Sequence, residues 1–367
     1  MPTARSPKAK YQRIFEQLSR DIMGGRYRPG QKFPSEAALV RRFAASRITV
    51  GHALRELQQR GFVDRVAGSG TYVRSVAHRR EGLLFGLIIP DLGETEIFEP
   101  ICHGIAGSPD AGGHALLWPH VDPKLPGKEE QALHLCMQCI AHTVSGVFFA
   151  PLELSDRSRE VNRRILKLLR EAAIPVVFLD RRPEEGPAEE RCDLAGLDNQ
   201  RAGYLATHHL LQLGSRTIGF AAYQYQASTV KARIAGYKEA LAAHSGGQSE
   251  VRIFYTAPNR RLELSAVAQN CDAFVCANDR IAGHLMHALL SQGTRIPDSV
   301  RLVGIDDVNY AGLLPVPLTT VHQPCHEIGE AALRVMLERL ERPKMAARNV
   351  LLDGSLVIRL SCGAALR

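Results

Sequence analysis

The sequence predicts an α/β protein in two parts: a small N-terminal winged helix-turn-helix, then a larger, two-lobed, doubly wound body. Three observations carry this. The chain has 367 residues, more than one ordinary core holds, so two or three units are expected. Its first 80 residues hold 17 of the 46 Lys and Arg but only 5 of the 38 Asp and Glu, a net of +12, whereas the remainder carries −4. Near Leu83 the apolar pattern changes, from helical spacing closed by a hairpin to short apolar runs between amphipathic helices.

The head is expected over residues 1–75. Ile14, Leu18 and Ile22 give a first helix one apolar face, and Gly24, Gly25, Pro29 and Gly30 end it. Ser35 can cap a second helix, with Glu36 at the positive end of its dipole and Leu39, Val40 and Phe43 on its apolar side. Ser46 can cap a third. There Val50, Ala53, Leu54 and Leu57 face the core, while Ile48, His52, Arg55 and Gln59 point away from it and Arg47 lies on the flank. Phe62–Val66 and Thr71–Arg74 read as strands joined by Gly68-Ser69-Gly70. In such a unit the second helix of the pair fits the major groove of DNA and the hairpin lies on the backbone or minor groove. The basic charge suits a polyanion partner, with Arg41 and Arg42 as candidate phosphate contacts.

A short basic linker, 76–82, precedes the body at 83–367. Runs at Leu83–Ile89, Val144–Ala150, Ile174–Leu179, Leu194–Leu197, Thr217–Ala222, Ala273–Ala277 and Val300–Ile305 read as strands of parallel sheets covered on both faces. Two lobes fit this length, 83–195 with 322–352 and 196–321 with 353–367. Ligands of such sheets bind outside the carboxyl ends of the strands. Those ends carry Pro90-Asp91 with Phe98 and Glu99 beyond, Asp180-Arg181, Asp198-Asn199, Ala277-Asn278-Asp279 and Asp306-Asp307. Carboxylates accept from hydroxyls, Asn and Arg donate, and an aromatic face packs on the CH side of a sugar. Each Asp alone reads equally as a helix cap or turn residue; the series points to a hydroxyl-rich ligand. Trp118, the sole tryptophan, reads as structural.

Here the residues resemble known families. Tyr27-Arg28-Pro29-Gly30, Phe33-Pro34-Ser35-Glu36, Ser46-Arg47-Ile48-Thr49-Val50 and Gly68-Ser69-Gly70-Thr71-Tyr72-Val73 resemble the GntR-family DNA-binding domain. That resemblance implies that Ser35, Ser46, Arg47, Thr49 and the wing turn Gly68, Ser69 and Gly70 approach double-stranded DNA; Ile48 and His52, which point away from the core, are candidate contacts beside them. Two positions depart from it: Ala37 and Gly51 stand where many members carry arginine. The body is similar to LacI/GalR effector domains, themselves related to periplasmic sugar-binding proteins. Asp198–Gly203, Arg233-Ile234-Ala235-Gly236-Tyr237, Ala277-Asn278-Asp279, Val303–Asp307 and Leu318–Gln323 carry the likeness. It implies a periplasmic-binding-protein-like body with Asp180, Arg233, Asn278, Asp306 and Gln323 lining a sugar pocket; Asp91, Phe98, Glu99 and Arg181 remain candidates from their place after the strands. Gln323 would lie on a hinge crossing, and Thr256–Arg261 lacks the pocket tryptophan of some relatives. A GntR-type head on a LacI-type body resembles sugar-responsive repressors of Gram-positive bacteria. L-arabinose or another pentose is the first expectation for the effector, and a homodimer on an inverted repeat for the assembly.

Other classes fit less well. No apolar run approaches the roughly 20 residues of a membrane span. Met1 to Lys10 lacks the apolar segment of a secretion signal, so a cytoplasmic location is expected and a transport-type sugar-binding protein is disfavoured. No phosphate loop, cofactor lysine or triad is found, so an enzyme is not expected. Cys136 and Cys139, with His134 and His142 nearby, invite a zinc reading. Glu129–His142 reads as one amphipathic helix, however, and no second ligand pair has matching spacing, so reduced thiols and no metal or cofactor are expected.

Overall fold

The computed structural model describes residues 10–23, 26–27, 30–59, 62–66, 69–73, 82–90, 96–118, 125, 127–153, 157–183, 192–224, 227–245, 250–256 and 270–364. The chain divides into two compact units, 1–82 and 83–367.

In the first unit, helices α1 (Lys10–Met23), α2 (Glu36–Phe43) and α3 (Arg47–Gln59) precede strands β1 (Val63–Val66) and β2 (Gly70–Val73). Ile14, Leu18, Ile22, Leu39, Val50, Ala53 and Leu57 form one buried core with Phe33, Phe62, Val63 and Val73. Apart from Phe33 and the wing residues, these are positions that helical periodicity selects. Ser35 Oγ accepts from the Ala38 N–H and Ser46 Oγ from the Thr49 N–H, each at 3.2 Å, so both helices start on hydroxyl caps. β1 and β2 pair antiparallel with Val63 opposite Val73. Residues 31–33 add a third edge: the Val73 N–H donates to the Gln31 carbonyl at 2.9 Å and the Phe33 N–H to that of Thr71 at 2.7 Å.

The second unit holds two six-stranded sheets. The first is built from β3 (Leu84–Ile88), β4 (Ala115–Leu117), β5 (Gly146–Phe149), β6 (Val176–Leu179), β7 (Asp193–Leu197) and β13 (Asn349–Leu352), in the order β13-β7-β6-β5-β3-β4. All its pairs are parallel. The second is built from β8 (Ile218–Tyr223), β9 (Arg252–Thr256), β10 (Ala273–Cys276), β11 (Arg301–Asp306), β12 (Thr319–His322) and β14 (Ser355–Val357), ordered β14-β12-β11-β10-β8-β9. Only its β12–β14 pair is antiparallel. The helices are α4 (Phe98–Gly107), α5 (Lys128–Ala141), α6 (Ser158–Glu171), α7 (Asn199–Gln212), α8 (Ser228–Ser245), α9 (Asp279–Ser291) and α10 (Cys325–Glu341). None of the described helices is long and apolar enough to cross a membrane.

Glycines let two helix pairs meet backbone to backbone. A Cβ at Gly203 of α7 would fall on the Arg233 carbonyl of α8, and one at Gly236 on the Gln200 carbonyl. Gly104 of α4 and Gly329 of α10 make the equivalent approach in the other lobe, against the His326 and Ile101 carbonyls. Between the lobes the chain crosses three times, after β7, after β12 and after β13. The crossings touch: the Asp198 N–H donates to the Leu352 carbonyl at 2.8 Å. A Cβ at Gly354 would meet Val321 Cγ1 at 2.7 Å and the His322 carbonyl at 2.9 Å.

Candidate functional site

The head exposes Ser46, Arg47 and Ile48 at the start of α3, with Thr49 half-buried. The Ser46 and Thr49 hydroxyls lie 2.8 Å apart and hold each other. Ser69 Oγ lies 2.7 Å from the Tyr72 hydroxyl, and Gly70, at φ 126°, turns the wing. Gly68 lies outside the described residues. His52 points outward, but its ring meets Tyr11 edge-on at 4.4 Å between centroids. One expectation needs correction. Arg42 is committed to the fold: it donates to Asp21 Oδ2 at 2.6 Å and the Tyr27 hydroxyl at 2.8 Å, and its guanidinium lies 5.0 Å from the Phe43 ring centroid. Arg41 stays exposed.

In the body the carboxyl ends of both sheets come together at one candidate site. Arg233 reaches from α8 into it and is 4% exposed. It donates through Nε to Asn199 Oδ1 (2.7 Å), through Nη1 to the Ala277 carbonyl (2.6 Å) and through Nη2 to Asp306 Oδ1 (3.0 Å). The guanidinium thus joins the start of α7 to the ends of β10 and β11. Burial pushes the Asp306 carboxyl up to about 7; Arg233 opposes the shift, while Asp279 and Asp180 add to it. Three aspartates at strand ends have positive φ: Asp180 at 67°, Asp306 at 123° and Asp307 at 57°. Such backbone is strained for residues other than glycine and collects where a site over-determines it.

From the other lobe come Asp180, Arg181 and Glu153. Arg181 donates from Nη1 to Asp180 Oδ2 at 3.1 Å and from Nε to the Pro151 carbonyl at 3.0 Å. That Nε also lies 3.1 Å from Glu153 Oε2. Glu153 Oε1 accepts from the Ser228 N–H (2.9 Å) and hydroxyl (2.8 Å), a bridge from the first lobe to the second. Burial raises the Glu153 carboxyl and Arg181 counters it. Gln323, on the second crossing, is 1% exposed, and neither end of its carboxamide has a partner. Asp180 Oδ1 is likewise buried and unpartnered.

The other expected residues divide. Asn278 Oδ1 caps α9, accepting from the Ile281 N–H at 2.9 Å. Phe98 is corrected as an open stacking face. It is fully buried in the lobe core, with the Arg181 guanidinium 5.5 Å from its ring centroid. Glu99 is exposed on the first turn of α4. Asp91 and residues 257–261 lie outside the described residues. Trp118 is corrected too: it stands 49% exposed beyond β4. Asp279 is structural, accepting from the Thr320 hydroxyl at 2.6 Å and the Val308 N–H at 3.0 Å. Sequence reasoning missed Glu153 and Ser228. Cys136 and Cys139 are buried in α5, their thiols pushed up to about 11 and about 12 by burial. Among the described residues no group of three or more His, Cys, Asp or Glu could hold a metal ion.

Residues 10–73 match the family model of bacterial regulatory proteins, gntR family, and residues 207–362 that of the periplasmic binding protein-like domain. The chain joins a GntR-type winged helix-turn-helix to a LacI-type, periplasmic-binding-protein-like body, the plan of a DNA-binding transcription regulator. It is 26% identical to the arabinose metabolism transcriptional repressor of Geobacillus stearothermophilus, over 93% of this chain and 97% of that one. The transcription regulator GntR from Chromobacterium violaceum shares its fold at TM-score 0.58 and 26% identity, over 77% of this chain and 99% of that one. A ribose-bound LacI family regulator from Enterococcus faecium does so at TM-score 0.61 and 23% identity, over 76% and 98%.

Proposed function

We propose that the protein is a transcriptional repressor in which a monosaccharide, L-arabinose or another pentose, binds the body's cleft and shifts the head's affinity for operator DNA. The observation that carries this is Gln323. An amide buried at both ends without a partner is costly, and ligand hydroxyls, which both donate and accept, would satisfy it. Asp180 Oδ1 offers a further acceptor, and the remaining N–H groups of Arg233 and the Asn278 amide offer donors. The arabinose-metabolism repressor, similar over nearly its full length, and the ribose bound to the Enterococcus regulator support the pentose reading.

In the head, Arg47 donates to a guanine edge and Arg41 to phosphate. One winged unit offers few base contacts, so the working form is a homodimer on an inverted repeat in the cytoplasm; sedimentation as a monomer with and without DNA would contradict it. The test of the effector is thermal denaturation of the full chain with L-arabinose, D-ribose and D-xylose. A cognate sugar at about 100 times its Kd stabilises the body by about 2.7 kcal/mol and changes operator affinity in a parallel titration. If every sugar leaves both measurements unmoved, the reading fails.

A further inference from the structure

We infer that Ile48 recognises the C5-methyl group of a thymine in each operator half-site. The inference rests on the DNA-binding reading of the head. Ile48 is 81% exposed, the one large apolar side chain of the head among the described residues that stands open to water. It contributes nothing to the core, which takes Val50, Ala53 and Leu57 from the opposite face of α3. It sits in the first turn, beside the exposed Arg47 and just beyond the Ser46 cap. Those are the positions from which a recognition helix reaches base edges.

The surroundings favour close approach. One turn on, Gly51 presents no side chain. A Cβ there would lie 3.0 Å from Glu36 Oε1, so the carboxylate end of Glu36 occupies the space beside it. Next along the face, His52 is held against Tyr11. The helix therefore offers the groove an apolar knob next to a position without a side chain, in a chain whose first 80 residues carry a net charge of +12 that draws DNA in. The major-groove floor carries one apolar group, the thymine methyl. A β-branched side chain meets it with few rotamers to lose.

The experiment uses the full chain. An operator is selected from a random duplex pool, and each thymine of its half-sites is then replaced by deoxyuridine, which deletes only the methyl. The expected result is one thymine per half-site whose demethylation weakens wild-type binding about fourfold, the worth of one buried carbon. Ile48→Ala should bind the thymine and uracil operators equally, with unchanged melting temperature, and Ile48→Val should keep the preference. If no demethylation matters to the wild type, or Ile48→Ala retains the preference, the inference is overturned while DNA binding stands. A pool from which nothing is enriched overturns the DNA-binding reading and this inference together.

Discussion

Replacing Arg233 by alanine should destabilise the body in a pH-dependent way. The side chain makes three hydrogen bonds at 2.6–3.0 Å in a site where it is 4% exposed. Losing the donors to Asn199 and the Ala277 carbonyl costs about 1–3 kcal/mol together. Losing the charge acts on Asp306, whose carboxyl stands at about 7 even with Arg233 beside it. Without the guanidinium that value rises further. Near pH 6 the acid is largely protonated in both proteins, and only the lost hydrogen bonds count. Above about pH 7 the wild type ionises against Arg233, whereas the variant must hold its proton or bury a lone carboxylate. The penalty then grows by up to about 1.4 kcal/mol per pH unit. At pH 8.5 the total reaches about 3–5 kcal/mol, the usual cost of breaking a buried ion pair. The sole tryptophan, Trp118, lies in the body, so its fluorescence during urea denaturation reports that unit in the full chain. A penalty equal at pH 6 and pH 8.5, or below about 1 kcal/mol at both, would refute the reasoning.

Asp306→Asn tests the same group alone. The raised native carboxyl keeps its proton where the unfolded one has lost it, so wild-type stability falls as pH rises from about 4 to about 7. The variant's urea midpoints should show a flatter profile across that window; an unchanged slope would assign it to other groups. Arg42→Ala, which removes the donor to Asp21 Oδ2 and to the Tyr27 hydroxyl and leaves Asp21 with Gln17 and Arg26, should cost the head about 1–2 kcal/mol, read by circular dichroism. Arg41→Ala should leave stability alone, weaken DNA binding uniformly and lower the salt slope by about one per head, about two for the dimer. Gly236→Ala drives a Cβ onto the Gln200 carbonyl and should cost at least about 2–3 kcal/mol in fluorescence-monitored melts; a neutral result would mean that α7 and α8 can part freely.

Much of the fold was legible because its signals are local. The α1 and α3 core positions follow helical spacing, and the central strands are continuous apolar runs. The edges were not: β13 alternates exposed and half-buried residues and β14 spans three residues, too little apolar pattern to distinguish from loop. In the cleft, Asp180, Arg233, Asp306 and Gln323 lie in motifs tied to strand ends or the crossing. Glu153 carries no such mark. Its partner Ser228 is 75 positions away in the other lobe, and a contact of that range leaves no periodicity behind. Phe98 shows the limit of composition. An aromatic residue after a strand fits a ligand platform or a core equally, and only packing shows that Arg181 covers it. Arg42 is the same lesson in the head, a basic residue whose partner, Asp21, sits one helix away.

The position of Gln323 gives cleft occupancy a route to lobe movement. Each lobe contains a helix pair locked by glycine contacts, α7 with α8 and α4 with α10, so sliding within these pairs is blocked by backbone. Rotation is left to the three crossings, which pack on one another around Gly354. Gln323 belongs to one of them: its N–H faces the Asp306 carbonyl at 3.4 Å, and its carbonyl accepts from the Cys325 N–H, the first of α10, at 2.7 Å. A hydroxyl that satisfies its carboxamide therefore bonds to the hinge itself. The Glu153–Ser228 bridge already ties the two lobes together through two hydrogen bonds to a carboxylate. A ligand needs only to add the difference between the two states. On the proposed reading it would do so through Gln323 and Asp180 Oδ1, both buried without a partner, which would regain water if the lobes parted.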